Sequence, residues 1–501
     1  MKFSKLTLAI ATALSASASF NAFAMDLYVD TKTKQIYAEP GRGRELMGSF
    51  ERTSDKPPVT PAAPVAAAEL ATVREDLNLK TNEIKALQEH MEEAEKVKIT
   101  VDKKGLSAES SDKNFKFRLG GRIQADANFS GSDDLYSGII PVNANDGTEI
   151  RRARIDFTGT FFKDWNFKTQ VDFADNAVGV KDLFVQYTGI NFMDITLGQQ
   201  KQNFSRELLE SSNDLMFTER SLMNVLNQYV VDRAIGLDLQ SSAPKGYTAS
   251  LGVYGNSITP ARTTGTENNT AGNEGWSVSG RGTYAPIEEK TKVVHLGVAG
   301  NYRASDANGD VYRSRNLAYQ YETNHMSNLD LINSSVSRVD NIKMLGLEAA
   351  GLYGPVSVGA EYTRQWVDRK SGQPNIEVDG WYVDAGWTIT GESRKYKQGK
   401  FYQVDPAKKF SLKNGGWGAW ELATRYSAVN ANDGAFHGGE MSNATVALNW
   451  YANNNIRFMA DYTQAFNFSN AALTATPAAR TGAAPQPGND GTFTLRAQLA
   501  Y

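Results

Sequence analysis

From Lys116 to the C-terminus, apolar residues recur at every second position, the period of a strand with one apolar face. In the last ten residues Phe493, Leu495, Ala497, Leu499 and Tyr501 share one face, with Thr492, Thr494, Arg496 and Gln498 on the other. Trp165, Phe167, Thr169, Val171 and Phe173 alternate in the same way with Asn166, Lys168, Gln170 and Asp172. The runs Val294 to Tyr302, Trp381 to Ile389 and Ala444 to Trp450 repeat it. The pattern predicts sixteen strands, at 116–129, 150–162, 165–175, 180–189, 193–200, 233–241, 246–256, 275–285, 293–303, 342–353, 356–368, 379–391, 416–429, 442–452, 455–465 and 490–501. An even count lets an antiparallel sheet close with no free edge, which lipid demands because unpaired backbone groups are costly there. Aromatics gather at strand ends, where a lipid interface favours them. The expected fold is all-β, a 16-stranded antiparallel transmembrane β-barrel over residues 116–501. A soluble sandwich would not place aromatics on so many exposed strand ends.

Turn chemistry supports the strand order. Lys163-Asp164, Ala243-Pro244-Lys245-Gly246, Gly354-Pro355 and Asn453-Asn454-Asn455 join neighbours tightly, and most intervening connections are long. Two connections break this alternation: 176–179 is short where a long loop is due, and 392–415 is long on the short side.

Ahead of the barrel the period is helical. Leu70, Leu77, Ile84 and Met91 fall seven apart, with Val73, Leu87 and Ala94 at the second seam position and Lys80 interrupting it. This predicts a coiled-coil helix over 66–98, set in the periplasm, or else one amphipathic helix on the barrel rim. Residues 25–65 are a polar segment without a legible fold, followed by a linker around Pro57, Pro58, Pro61 and Pro64. Residues 1–24 read as a secretory signal: Lys2 and Lys5 precede the apolar run Leu6 to Leu14, and Ala22-Phe23-Ala24 offers the cleavage site. Removing it takes the formal charge from −3 to −5.

A mildly acidic chain argues against a nucleic-acid partner and leaves local fields open. With no cysteine, an exported chain must close its fold without disulfides. The mean hydropathy of −0.44 is low for a membrane protein, as expected when alternate residues face water. His90, His295, His325 and His437 are the only histidines, and none sits in a nucleophile motif. The chain carries no metal motif and no nucleotide loop, so neither an enzyme nor a cofactor is expected.

A barrel of this size leaves an aqueous lumen, so selectivity resides in inward side chains and in any loop folded inside. Phase turns Leu119, Gly121, Ile123, Ala125 and Ala127 to lipid, which sends Arg122, Gln124 and Asp126 inward. Ala153, Ile155 and Phe157 face out, so Arg152, Arg154 and Asp156 face in, and Arg151 must sit at the strand's beginning or at a bulge. Lys168 shares the lumen phase. The connection 201–232 is the candidate constriction loop and adds Lys201, Arg206 and Arg220. Converging guanidiniums would lower the energy of an anion in a narrow pore, each gripping an oxyanion with paired donors. Alternatively these arginines pair with Asp126, Asp156 and Asp172 across the lumen. The reading is a passive channel for small anions, with a general diffusion pore or a structural tether as alternatives.

Several segments resemble the phosphate-selective porin O and P family: Leu119-Gly120-Gly121-Arg122-Ile123-Gln124-Ala125-Asp126, Arg151-Arg152-Ala153-Arg154, Lys163-Asp164-Trp165, Gln186-Tyr187-Thr188-Gly189, Glu219-Arg220-Ser221, Tyr284-Ala285-Pro286, Ala385 to Glu392 and Gly418-Ala419-Trp420-Glu421-Leu422. The resemblance implies an outer-membrane location, a trimeric porin and an arginine-lined path to an oxyanion site, with Arg151-Arg152 as its double arginine. It also implies phosphate among small inorganic anions as the solute. Other expected partners are outer-membrane lipid, the barrel assembly machinery through the terminal Tyr501, a homotrimer and a cell-wall contact. Family members that select phosphate carry lysines in the constriction loop. Here the segment Phe204 to Asp214 shows Leu208, Glu210, Asn213 and Asp214 instead, which implies a weaker anion preference.

Overall fold

The computed structural model describes residues 25–50, 64–94, 97–131, 135–137, 140–142, 144–242, 245–258, 274–306, 317–322, 325–327, 329–469 and 491–501. The expected signal, 1–24, and the prolines at 57, 58 and 61 lie outside the described residues.

Sixteen antiparallel strands close into a barrel. In chain order they are Phe115–Ser130, Gly147–Phe161, Trp165–Asp172, Gly179–Ile190, Met193–Lys201, Arg233–Ser241, Tyr247–Tyr254, Trp276–Glu288, Lys292–Ala304, Val339–Tyr353, Val356–Arg369, Ile376–Thr388, Ala419–Asp433, Phe436–Tyr451, Ile456–Ser469 and Gly491–Ala500. Each expected strand has its counterpart, displaced by a few residues at the ends. The last strand pairs with the first from Thr492 opposite Ser130 to Ala500 opposite Arg122. Gly121 and Tyr501 exchange backbone hydrogen bonds of 2.7 and 3.0 Å, which ties the C-terminus into the first strand.

The alternation decides which face is wet. Leu119, Ile123, Leu296, Val298, Val383 and Trp387 are exposed on the outer surface, whereas Arg122, Gln124, Asp126 and Arg152 are buried within the lumen. Aromatic pairs such as Trp420–Trp450 and Trp450–Phe458 stack across neighbouring strands near their ends. Both irregular connections are real, and neither shifts the topology. Residues 173–178 form a short turn around Ala174–Asn176, and 389–418 is long. Asp175 and Asn176 adopt left-handed φ angles of 58° and 55°, which lets so few residues reverse the chain.

Three long connections contribute to the lumen: 202–232, the described parts of 305–338 (305–306, 317–322, 325–327 and 329–338), and 389–418. The first two share a core: Phe204, Leu222, Leu226, Val230 and Val231 pack with Leu317, Tyr319, Leu331 and Ile332. The wall beneath them is apolar on its inner face, through Ile342, Met344, Val367, Ile376, Val378, Val429 and Met441. The third connection enters from the end where the first barrel strand begins and the last one finishes, and its hairpin Lys395–Lys397 and Lys400–Tyr402 reaches the first: the Phe401 and Gln403 amides donate to Glu210 and Asp214, both at 3.0 Å.

The N-terminal region forms a separate unit. Strands Met25–Asp30, Ile36–Tyr37 and Arg44–Phe50 make a small antiparallel sheet where no fold was legible. Helix Pro64–Ala94 follows, with Val73, Leu77, Ile84 and Leu87 exposed. It stops at Ala94 rather than at residue 98, because Val97 already opens the strand Val97–Asp102, which pairs with Gly105–Ser110 and lies beside the first barrel strand.

Candidate functional site: a cation-lined cavity

The inner face of strands from Phe115 to Ser241, together with segment 202–232, encloses a cavity of about 810 Å³. Ten basic side chains line it: Arg122, Arg151, Arg152, Arg154, Lys168, Lys181, Lys201, Arg220, Arg233 and Lys400, against eight Asp and Glu residues. The small excess matters less than how the charges are paired.

Seven of the eight cations expected from sequence lie here, and four of those seven are neutralised. Arg151 grips Glu219 with two hydrogen bonds of 2.9 and 3.2 Å, and Arg152 reaches the same carboxylate at 3.4 Å. Arg496, which sequence reading left out, binds Asp126 at 2.7 and 2.6 Å and Glu219 at 3.0 Å. Burial alone would raise the Glu219 carboxyl, but these three guanidiniums outweigh it and hold the group well below the usual carboxylate range. Arg154 pairs with Asp172 at 2.7 Å, while Lys168 and Arg233 share Asp182 at 2.6 and 2.7 Å.

The remaining cations are different. Lys201 donates to the carbonyls of Leu208 and Glu210, and Arg220 donates to those of Glu207, Leu208 and Glu210. Shared carbonyls thus hold two positive groups together, and among the described residues no carboxylate is bound to either. Among the described residues Lys181 and Lys400 also have no ion-pair partner. Arg122 donates to Ser211 Oγ and Ser212 Oγ at 3.1 and 2.8 Å, meets Asp156 only at 3.9 Å, and keeps its buried Nε without a hydrogen-bond partner.

Two bulges supply extra inward charge. Gln124 pairs with Arg152 and Ala125 with Ile150, so Arg151 is the skipped residue and turns into the lumen beside its neighbour. Gln170 pairs with Asp182 and Val171 with Val180, which skips Lys181 and turns it inward although it shares parity with the outward Leu183 and Val185. Strict alternation hides Lys181 for this reason. Lys400 escapes alternation because it lies in the connection 392–415, outside the sixteen expected strands.

Arg206 departs from expectation. It is buried away from the cavity between Glu210 at 3.0 Å, Tyr382 Oη at 2.7 Å, Glu361 at 3.7 Å and Asp384 at 3.8 Å. Glycine at 359 admits it: a Cβ there would stand 2.5 Å from its Nη2. Arg206 therefore anchors the segment to the opposite wall. The loop acids Glu210 and Asp214 likewise turn to segment 389–418, not to the cavity.

Comparison with known proteins adds the following. The family description Phosphate-selective porin O and P matches residues 117–483. Porin O of Pseudomonas aeruginosa is 28% identical over 394 residues, covering 72% of this chain and 86% of that protein. An uncharacterized protein of Caulobacter vibrioides is 29% identical over 364 residues, covering 70% and 69%. Among solved structures, the outer membrane channel DcaP of Acinetobacter baumannii aligns with a TM-score of 0.46 at 12% identity, covering 78% of this chain and 99% of that one.

Proposed function

Because this chain belongs to the phosphate-selective porin O and P family, and is an outer-membrane channel, we propose that it passes small inorganic anions, phosphate among them, along the cationic wall of its lumen. The observation that carries this reading is the group Lys181, Lys201, Arg220 and Lys400, which lines the cavity with no carboxylate partner among the described residues. A desolvated cation whose only partners are carbonyl dipoles keeps its field for a passing ion. Arg122 lines the same space and keeps a buried Nε without a hydrogen-bond partner.

The paired arginines do other work. Arg151, Arg152 and Arg496 pin Glu219 and so fix segment 202–232 across the lumen. Their charge is spent on position. Acids on the lining, Asp175, Glu322 and Asp330 among them, hold the preference to a graded one. No nucleophile or acid–base pair is needed for such a role.

The N-terminal unit supports a second, compatible role. The exposed stripe Val73, Leu77, Ile84 and Leu87 fits association of three helices from three copies on the periplasmic side, with a tether toward the cell wall. Deleting residues 70–94 should weaken the trimer and leave single-channel conductance intact.

Reversal potentials in a planar bilayer under a potassium chloride gradient test the channel reading. Anion preference is expected, reduced when phosphate competes with chloride. A cationic or absent preference would reject the cationic path.

A further inference from the structure

We infer that Glu149, Asp175 and His325 form a binding site for a first-row divalent metal ion of the zinc type at the mouth of the lumen, one that clips the turn His325–Ser327 to the barrel wall. The three side chains come from separate places: the strand Gly147–Phe161, the turn Ala174–Asn176 and the turn His325–Ser327. Their donor atoms all lie within 4.8 Å of one another. Sequence spacing cannot reveal such a set, because 176 positions separate the first donor from the last.

The geometry assigns the donors distinct tasks. His325 Nδ1 lies 2.8 Å from Glu149 Oε2, a hydrogen bond that orients the ring and places the proton on Nδ1. In the neutral ring Nε2 carries the lone pair, and it lies 3.7 Å from Asp175 Oδ2, too far for a hydrogen bond. Two bonds of about 2.1 Å meeting at about 120° hold their donors roughly 3.6 Å apart, so one ion fits between imidazole and carboxylate. A carboxylate behind a ligating histidine is the usual support for such a ligand. Water and the second carboxylate oxygen of Asp175, whose side chain is 57% exposed, complete the coordination. An imidazole donor favours zinc-like ions over magnesium or calcium, which prefer all-oxygen shells.

The fold holds the pieces in place. Met326, next to His325, packs against the strand at Gly147, where a Cβ would stand 2.7 Å from Met326 Cε. His325 and Asp175 line the cavity, so a bound ion also changes its field. The dication offsets two carboxylate charges at an entrance that must admit anions, and it fastens the turn His325–Ser327 to the wall. This goes beyond anion passage itself, and its first readout does not depend on it.

The test uses the full chain in detergent, in phosphate-free buffer near neutral pH, with heat-modifiable mobility as the check that each variant is a folded barrel. Calorimetric titration with Zn²⁺ should show one saturable site per chain, and Mg²⁺ at equal concentration should show none. His325→Ala should weaken Zn²⁺ binding by about tenfold or more, Glu149→Gln should weaken it by about tenfold through loss of ring orientation, and His437→Ala should leave it unchanged. In bilayers, Zn²⁺ should shift the reversal potential toward greater anion preference in the parent chain and not in His325→Ala. Absence of saturable binding, or binding of equal strength in folded His325→Ala, would overturn the proposal.

Discussion

The strands from Phe115 to Ser241 and those from Val339 to Ser469 line the same lumen with opposite chemistry. The first group turns Arg122, Arg152, Arg154 and Lys168 inward and leaves open space in front of them. The second turns Ile342, Met344, Val367, Ile376, Val378 and Val429 inward at one end and covers them with segment 202–232 and the strands Leu317–Glu322 and Asp330–Val336. An apolar inner wall in water must be covered, and here the covering is the chain's own loops. Cavity and plug therefore define each other: burying one wall pushes the aqueous path against the other.

The largest disturbance of this contrast should come from Leu226→Asp. Leu226 is fully buried in the shared core, and an unpaired carboxylate there costs roughly 4 kcal/mol or more. Segment 202–232 should leave the wall, seen as a lower thermal midpoint and a larger, less selective single-channel conductance. Next is the double change Lys201→Met with Arg220→Gln on the open side. At about 1 kcal/mol per charge, roughly fivefold in anion occupancy, loss of both should bring the chloride-to-potassium permeability ratio close to unity.

A pH titration gives the third effect. Burial, with Arg281 and Lys168 nearby, pushes the Lys400 ammonium down to about 8. As pH rises through that value Lys400 loses its proton, the cavity loses one positive charge, and chloride preference should fall by up to about fivefold. Lys400→Gln should start at the lower preference and show no such step. The smallest effect is expected for Arg154→Gln combined with Asp172→Asn. The pair is neutral as a unit, so selectivity should change by less than about twofold, measured by reversal potential. A large loss there would mean that paired arginines also carry anions, and the distinction between positioning and lining cations would fail.

Strand number, closure and the outward face followed from period-two alternation alone, because each outer position meets lipid and tolerates only apolar residues. Arg151 shows how far that logic reaches: parity alone put a neighbour of Arg152 out of phase, so a bulge or a strand start was required, and a bulge is found. Lys181 shows where it ends, since the residue matches outward parity and a bulge opposite Gln170 and Val171 reverses it. A signal for the plug did exist: inner-phase positions such as Ile342, Met344, Val367 and Val378 are apolar, which a water-facing wall would not choose.

What the sequence determined by itself was the barrel, its register of wet and dry faces, and a stock of inward cations, all consequences of local alternation against two solvents. Only the tertiary structure decided which of those cations stay unpaired. That depends on contacts between residues far apart in the chain, as when Glu219 meets Arg151 and Arg496, or when Arg206 leaves the lumen for Glu210 and Tyr382. The convergence of Glu149, Asp175 and His325 is of the same kind. Charge type is written residue by residue, whereas charge pairing is a property of the closed fold.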